Sequence, residues 1–235
     1  MPFRRDGDRV YGPGTADMKA GIATAIHALR LVKAEKLSLR GPVTLLLTSD
    51  EERGSLHSRE LIEKLARDHQ RVLVLEPSRD DGALKVGRKG VGGFLVRFHG
   101  RSAHAGNNPE DGASALRELA HFLFFAEGLN DRQAGSSVNV TVARGGTVPN
   151  VIAEDAEAQL DIRILDMAEG ERLEHAIHHY TPHDSRVSVE VEGGINRPPL
   201  EFNEANQVLY REVEQALQRL ELHLEKAVVG GGSDG

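Results

Sequence analysis

Apolar positions change period several times along this chain. Ile22, Ala25, Ile26, Leu29 and Val32 recur at helical spacing behind Asp17-Met18-Lys19, which predicts a first helix. The run from Val43 to Leu47 is continuous, bounded by Gly41-Pro42 and Asp50, and predicts a strand buried on both faces. An amphipathic stretch from Ser58 to His69 predicts a second helix, and a short apolar run from Val72 to Leu75, closed by Glu76-Pro77, predicts another strand. Strand, helix, strand is the pattern of an α/β fold, a mostly parallel sheet with helices on both faces.

After Gly87, Gly90, Gly92 and Gly93 the period falls to two, with Phe94, Val96 and Phe98 alternating with Leu95 and Arg97. One wetter face suggests an antiparallel sheet. The expected elements are strand 93–99, helix 109–127, strands 137–144 and 155–165, helix 168–180 and strand 186–192. That order is β-α-β-β-α-β, a ferredoxin-like split βαβ sandwich. Asn196-Arg197-Pro198-Pro199 then makes a stiff link, Asn203 to Leu222 reads as a helix, and Ala227 to Val229 as a strand running into Gly230-Gly231-Gly232. Three divisions follow: 1–88 and 196–235 as two parts of one domain, and 89–195 as a domain inserted between them.

Composition narrows the function. Hydrophobic residues make up 39% of the 235 and charged residues 28%, an ordinary balance for a globular chain that buries a core. A formal charge of -7 and the lack of any Lys/Arg block interleaved with aromatics argue against nucleic acid. The absence of cysteine removes disulfides and thiolate metal sites. MPFRRDGDRV has no apolar core for a signal sequence, and no segment approaches the roughly 18 apolar residues of a membrane span, so the expectation is a cytoplasmic, soluble protein.

In open α/β sheets ligands gather beyond the carboxyl ends of strands, and two of the expected strands end in acids. Asp50-Glu51-Glu52 follows one and Glu76 the other, while Asp17 sits in a Gly-Pro-Gly loop ahead of a helix. One acid after a strand is commonly a solvated loop residue, but this many carboxylates directed at one crevice raise each other's pKa or recruit a cation. No basic cluster is near in sequence, so a metal is the economical reading. His175, His178 and His179 share a helical face, yet read as an exposed polar face rather than a metal site. Neither Gly87–Gly93 nor Gly230–Gly232 has the spacing and following helix of a phosphate loop.

The acids stand within longer motifs. Tyr11-Gly12-Pro13-Gly14-Thr15-Ala16-Asp17-Met18-Lys19-Ala20-Gly21, Thr48-Ser49-Asp50-Glu51-Glu52 and Leu75-Glu76-Pro77 follow in order. Gly100-Arg101-Ser102-Ala103-His104-Ala105-Gly106, Gly145-Gly146-Thr147-Val148-Pro149-Asn150-Val151-Ile152 and Gly230-Gly231-Gly232-Ser233-Asp234 come after. In these stretches, over nearly its whole length, the chain resembles the zinc-dependent amidohydrolases that include aminoacylase, acetylornithine deacetylase, succinyl-diaminopimelate desuccinylase and carboxypeptidase G. The resemblance implies that Asp17 bridges two zinc ions, that Glu76 and Glu52 are each a ligand of one ion, and that Glu51 is the general base. Cobalt or manganese are the implied substitutes. It further implies that His104, Asn150, Arg163 and Gly231 contact substrate, that the 89–195 unit is a lid through which two copies dimerise, and that substrates are N-acyl amino acids or small peptides.

The same resemblance implies two histidine ligands that this sequence lacks, one in a His-x-Asp motif ahead of its first residue and one beyond Gly235. Each zinc would then keep two carboxylates, one of them shared, where catalytic sites use about three protein ligands. The expectation at this point is a chain shortened at both ends, with a catalytically silent dimerisation module as the alternative to an active hydrolase.

Overall fold

The computed structural model describes residues 2–235, and the chain divides into two compact units. The first comprises the chain up to Lys85 with Val208–Ala227 and Asp234–Gly235; the second comprises Val86–Gln207 and Val228–Ser233.

Core formation is strongest in the second unit. Strands β4 (Gly90–His99), β5 (Ser137–Gly145), β6 (Asp155–Ile164) and β7 (Ser188–Arg197) form one antiparallel sheet in the order β5-β6-β4-β7. Helices α3 (Ala115–Gly128) and α4 (Met167–His178) pack on it, α3 against β4, β5 and β6, and α4 against β6 and β7. The chain therefore runs β-α-β-β-α-β through this unit. Alternation in β4 explains the core: Phe94, Val96 and Phe98 are buried while Leu95 and Arg97 stand on the other face. Val96 lies opposite Ala158 and Phe98 opposite Ala156, so small residues on β6 make room for large ones on β4. Phe122 of α3 closes against Phe98 at a ring separation of 5.5 Å, with Leu173 and Ile177 of α4 buried in the same cluster. The outer face carries a row of alternating charge, Arg144, Glu157, Arg97 and Glu190, across all four strands.

Each helix of this sandwich begins on a side-chain cap. Ser114 accepts from the Arg117 amide and Asp166 from the Glu169 amide, satisfying donors that a first helical turn leaves unpaired. Pro109–Asp111, expected at the head of α3, is a separate short turn, and the helix proper begins at Ala115.

The first unit opens with a hairpin that the apolar pattern does not announce, β1 (Arg4–Asp6) against β2 (Arg9–Tyr11), turned by Gly7 at φ 58. Helices α1 (Ala20–Ala34), α2 (Arg59–Asp68) and α5 (Glu204–Gln218) lie where the spacing predicts them, but none has a buried residue. The strands predicted over 43–47 and 72–75 are not strands: neither run has regular secondary structure or joins a ladder. A strand buried on both faces requires a hydrogen-bonded neighbour and a covering layer. Instead Val43 is 56% and Leu73 65% exposed. The mostly parallel sheet thus gives way, among the described residues, to the antiparallel sheet above, the β1–β2 hairpin and a pairing of β3 (Leu84–Arg88) with β8 (Lys226–Val229).

Candidate active site

Asp17 lies on an irregular turn, Thr15–Lys19, directly ahead of α1. Gly14, at φ 65, reverses the chain into it, a conformation suited to glycine. The Thr15 hydroxyl donates to the Gly12 carbonyl at 2.8 Å and the Lys19 ammonium to the Pro13 carbonyl at 2.7 Å, while the Asp17 side chain remains exposed. One helical turn later Gly21 approaches the run that ends at Glu76 so closely that a Cβ there would fall 2.0 Å from the Leu75 carbonyl oxygen. Glycine is the residue that permits this approach. It seats the helix behind Asp17 on the chain just ahead of Glu76.

Glu51 and Glu52 occupy a short helical turn, Glu51–Arg53, and Glu51 is the more buried of the two. The turn is held from both ends. The Asp50 carbonyl accepts from the Arg53 and Ser55 amides at 3.0 Å each, and the Asp50 carboxylate accepts from the His57 and Ser58 amides at 2.9 and 3.1 Å, at the head of α2. Ser58 and the His57 amide hold the Asp50 carboxyl below the ordinary aspartate range. At the other end the buried Ser55 hydroxyl lies 2.6 and 2.7 Å from the two carboxylate oxygens of Asp234. Sequence reasoning gave neither Ser55 nor Asp234 a role; the signal available was their position, one just past the acids and the other just past the late glycines.

Asp17, Glu51, Glu52 and Glu76 all belong to the first unit. Among the described residues, however, no three histidine, aspartate or glutamate side chains stand close enough together to hold a metal ion. The carboxylates present do not amount to a closed metal cage.

The remaining sequence-derived residues lie in the second unit. His104 and Asn150 come from loops that bridge to each other: the Ala105 amide donates to the Asn150 carbonyl at 2.9 Å, and His104 pairs with Val151. His104 Nδ1 accepts from the Gly106 and Asn107 amides at 3.1 Å each, which leaves Nε2 to carry the proton of the neutral ring. Arg163 on β6 is engaged in a two-pronged pair with Asp161, at 2.9 and 2.8 Å. Gly231 is exposed, and the carbonyl of its neighbour Gly232 accepts from the buried Arg88 guanidinium at 3.0 Å, an anchor that no sequence motif flagged.

Ordered acid-bearing turns in one unit and a β-α-β-β-α-β sandwich in the other define a class that family comparison makes explicit. The chain belongs to peptidase family M20/M25/M40, whose model matches residues 1–235. It is 38% identical over 163 residues to carboxypeptidase G2 of a Pseudomonas species, covering 69% of this chain and 39% of that protein. It is also 34% identical over 189 residues to the succinyl-diaminopimelate desuccinylase of Parvibaculum lavamentivorans, covering 74% of this chain and 47% of that enzyme. The chain therefore spans less than half the length of these relatives. In fold it resembles the aminopeptidase PepT of Bacillus cereus, with a TM-score of 0.76 at 22% identity, over 99% of this chain and 63% of the other. The family is one of metal-dependent hydrolases of amide bonds, with zinc the usual metal. No helix of the described residues is long and apolar enough to cross a membrane.

Proposed function

We propose that the chain carries the acid-bearing part of an amide hydrolase acting on N-acyl amino acids or small peptides. The single observation that supports this most is the seating of Gly21 against the Leu75 carbonyl, which draws the Asp17 turn toward the Glu76 end of its neighbour. In this reading Glu51 is the general base, taking a proton from the attacking water and returning it to the leaving nitrogen. Asp17, Glu52 and Glu76 would be the carboxylates that hold the metal, zinc or in its place cobalt or manganese, and the metal would supply positive charge beside the reacting carbonyl. Because these three do not close a cage by themselves, no step of the reaction is assigned to the metal.

The proposed substrate contacts lie in the second unit. With Nδ1 occupied by two amides, His104 offers an Nε2–H donor suited to a carbonyl oxygen that gains charge during attack. Asn150, Arg163 and Gly231 are proposed as contacts to the substrate's carboxylate and backbone groups, with the Arg163 fork exchanging Asp161 for the substrate's carboxylate. Residues 89–195 are then a ferredoxin-like lid through which two copies pair, inserted between catalytic parts 1–88 and 196–235, in a cytoplasmic protein.

The alternative reading is a catalytically silent chain that persists as a dimerisation module, and its motivation is that no three-ligand cluster forms among the described residues. Release of amino acid from N-acyl amino acids and acyl-glutamates, measured with added zinc, cobalt or manganese, separates the two. Turnover that disappears in Glu51→Ala supports the hydrolase, and turnover that survives it removes Glu51 as the base. Zinc bound tightly at a fixed stoichiometry counts against silence, whereas a monomer by light scattering counts against the lid-mediated dimer.

A further inference from the structure

Ser55 and Asp234 are 179 residues apart, yet they meet as a buried hydroxyl facing both oxygens of a carboxylate. Ser55 is 4% exposed, its backbone is left-handed at φ 55, and Ser233 beside Asp234 is buried as well. A serine has one hydroxyl proton, so it donates to the two oxygens alternately, and a hydrogen bond to a charged acceptor out of water is among the stronger ones. The residue it fixes is a strategic one. The Ser55 amide closes the turn onto the Asp50 carbonyl, and the Ser55 carbonyl accepts the Arg59 amide at 2.9 Å, starting α2.

We infer that Asp234 is a positioning residue: through Ser55 it latches the turn that carries Glu51 and Glu52, so the orientation of those two acids depends on the segment following the late glycines. The inference rests on the proposed function for what the acids do, but the latch is a property of the chain whatever they do. Asp50 pins the α2 end of the loop through the His57 and Ser58 amides, and the Asp234 pair pins the Ser55 end. Glu51 and Glu52 lie between two fixed points.

Amide hydrogen exchange on the full chain tests this. Ser55→Ala, Asp234→Ala and the double variant are each expected to raise exchange at the Gly54, Ser55 and Arg59 amides about tenfold, by the same amount in all three, with β4 and α3 unchanged. Asp234→Asn, which keeps an acceptor oxygen, is expected to restore most of the protection. Unchanged exchange at these amides, or effects of the two single changes that simply add, overturns the latch. Titration with cobalt, followed by its visible absorption, supplies the functional arm: weaker cobalt binding in Asp234→Ala with near wild-type binding in Asp234→Asn is expected, and equal binding in all forms shows that the latch does not position the acids. A wild-type chain that takes up no cobalt defeats the proposed metal site while the exchange data still decide the latch.

Discussion

At the scale of single residues, glycine and buried acid carry most of the specific information. Gly21 has no room for even a methyl group, so Gly21→Ala is expected to push α1 away from the 72–75 run and cost about 2 kcal/mol by overpacking, measured by urea unfolding. Glu118, on α3 and 1% exposed, accepts from the Tyr180 hydroxyl at 2.6 Å and from the His183 and Asp184 amides. Burial alone would raise its pKa, but these donors outweigh burial and hold it below the ordinary 4.5, while burial and the carboxylate push the Tyr180 hydroxyl upward. A lowered folded pKa means that the unfolded chain takes up this proton first. The stabilisation from Glu118 is therefore complete above the unfolded value and fades as pH falls through the folded one. Stability measured against pH is expected to lose part of its acid-side decline in Glu118→Gln, and an unchanged profile would show that other carboxylates set it.

At the scale of elements, what the sequence makes legible is whatever depends on neighbours in the chain. The alternation of Phe94, Val96 and Phe98 marks β4, and the helical spacings mark α1, α2 and α5, because local period and burial coincide there or local propensity suffices. Val43 to Leu47 and Val72 to Leu75 read as strands for the same reason, yet a ladder is a property of partners, and the described residues supply none. The local pattern does not mark β3 and marks β8 only from Ala227, because their short runs gain meaning from each other rather than from period. The candidate site divides likewise. The acids were visible as motifs at loop positions, whereas the Ser55–Asp234 and His104–Asn150 associations span chain separations that no local window covers. Caps, by contrast, are local and testable: Asp166→Ala removes the acceptor for the Glu169 amide and is expected to lower stability by about 1 kcal/mol. Thermal unfolding followed by circular dichroism checks it.

At the scale of the whole molecule, the two units differ in how much they bury. The clustered core lies in the second, while α1 and α2 of the first, and α5, which crosses from the second unit into the first, bury no residue. Unfolding is expected in more than one step, with the slowest-exchanging amides in β4, β6 and α3, and a single transition by both calorimetry and exchange would contradict this. The exposed apolar runs have a second consequence. Leu73→Lys is expected to reduce concentration-dependent association without altering the circular dichroism of the chain, and light scattering at several concentrations reads the outcome.

The chain segments that flank the β-α-β-β-α-β sandwich lie together. Arg88 exchanges backbone hydrogen bonds with Leu200 at 3.0 Å, the Lys89 amide donates to the Val229 carbonyl at 3.0 Å, and Gly87 packs against Val228. A module whose two flanks sit side by side is expected to tolerate being rejoined by a short linker or cut at a distant loop. Such a geometry suits the sandwich to act as a cassette, since changes on its surface need not pass through the turns that hold the acids.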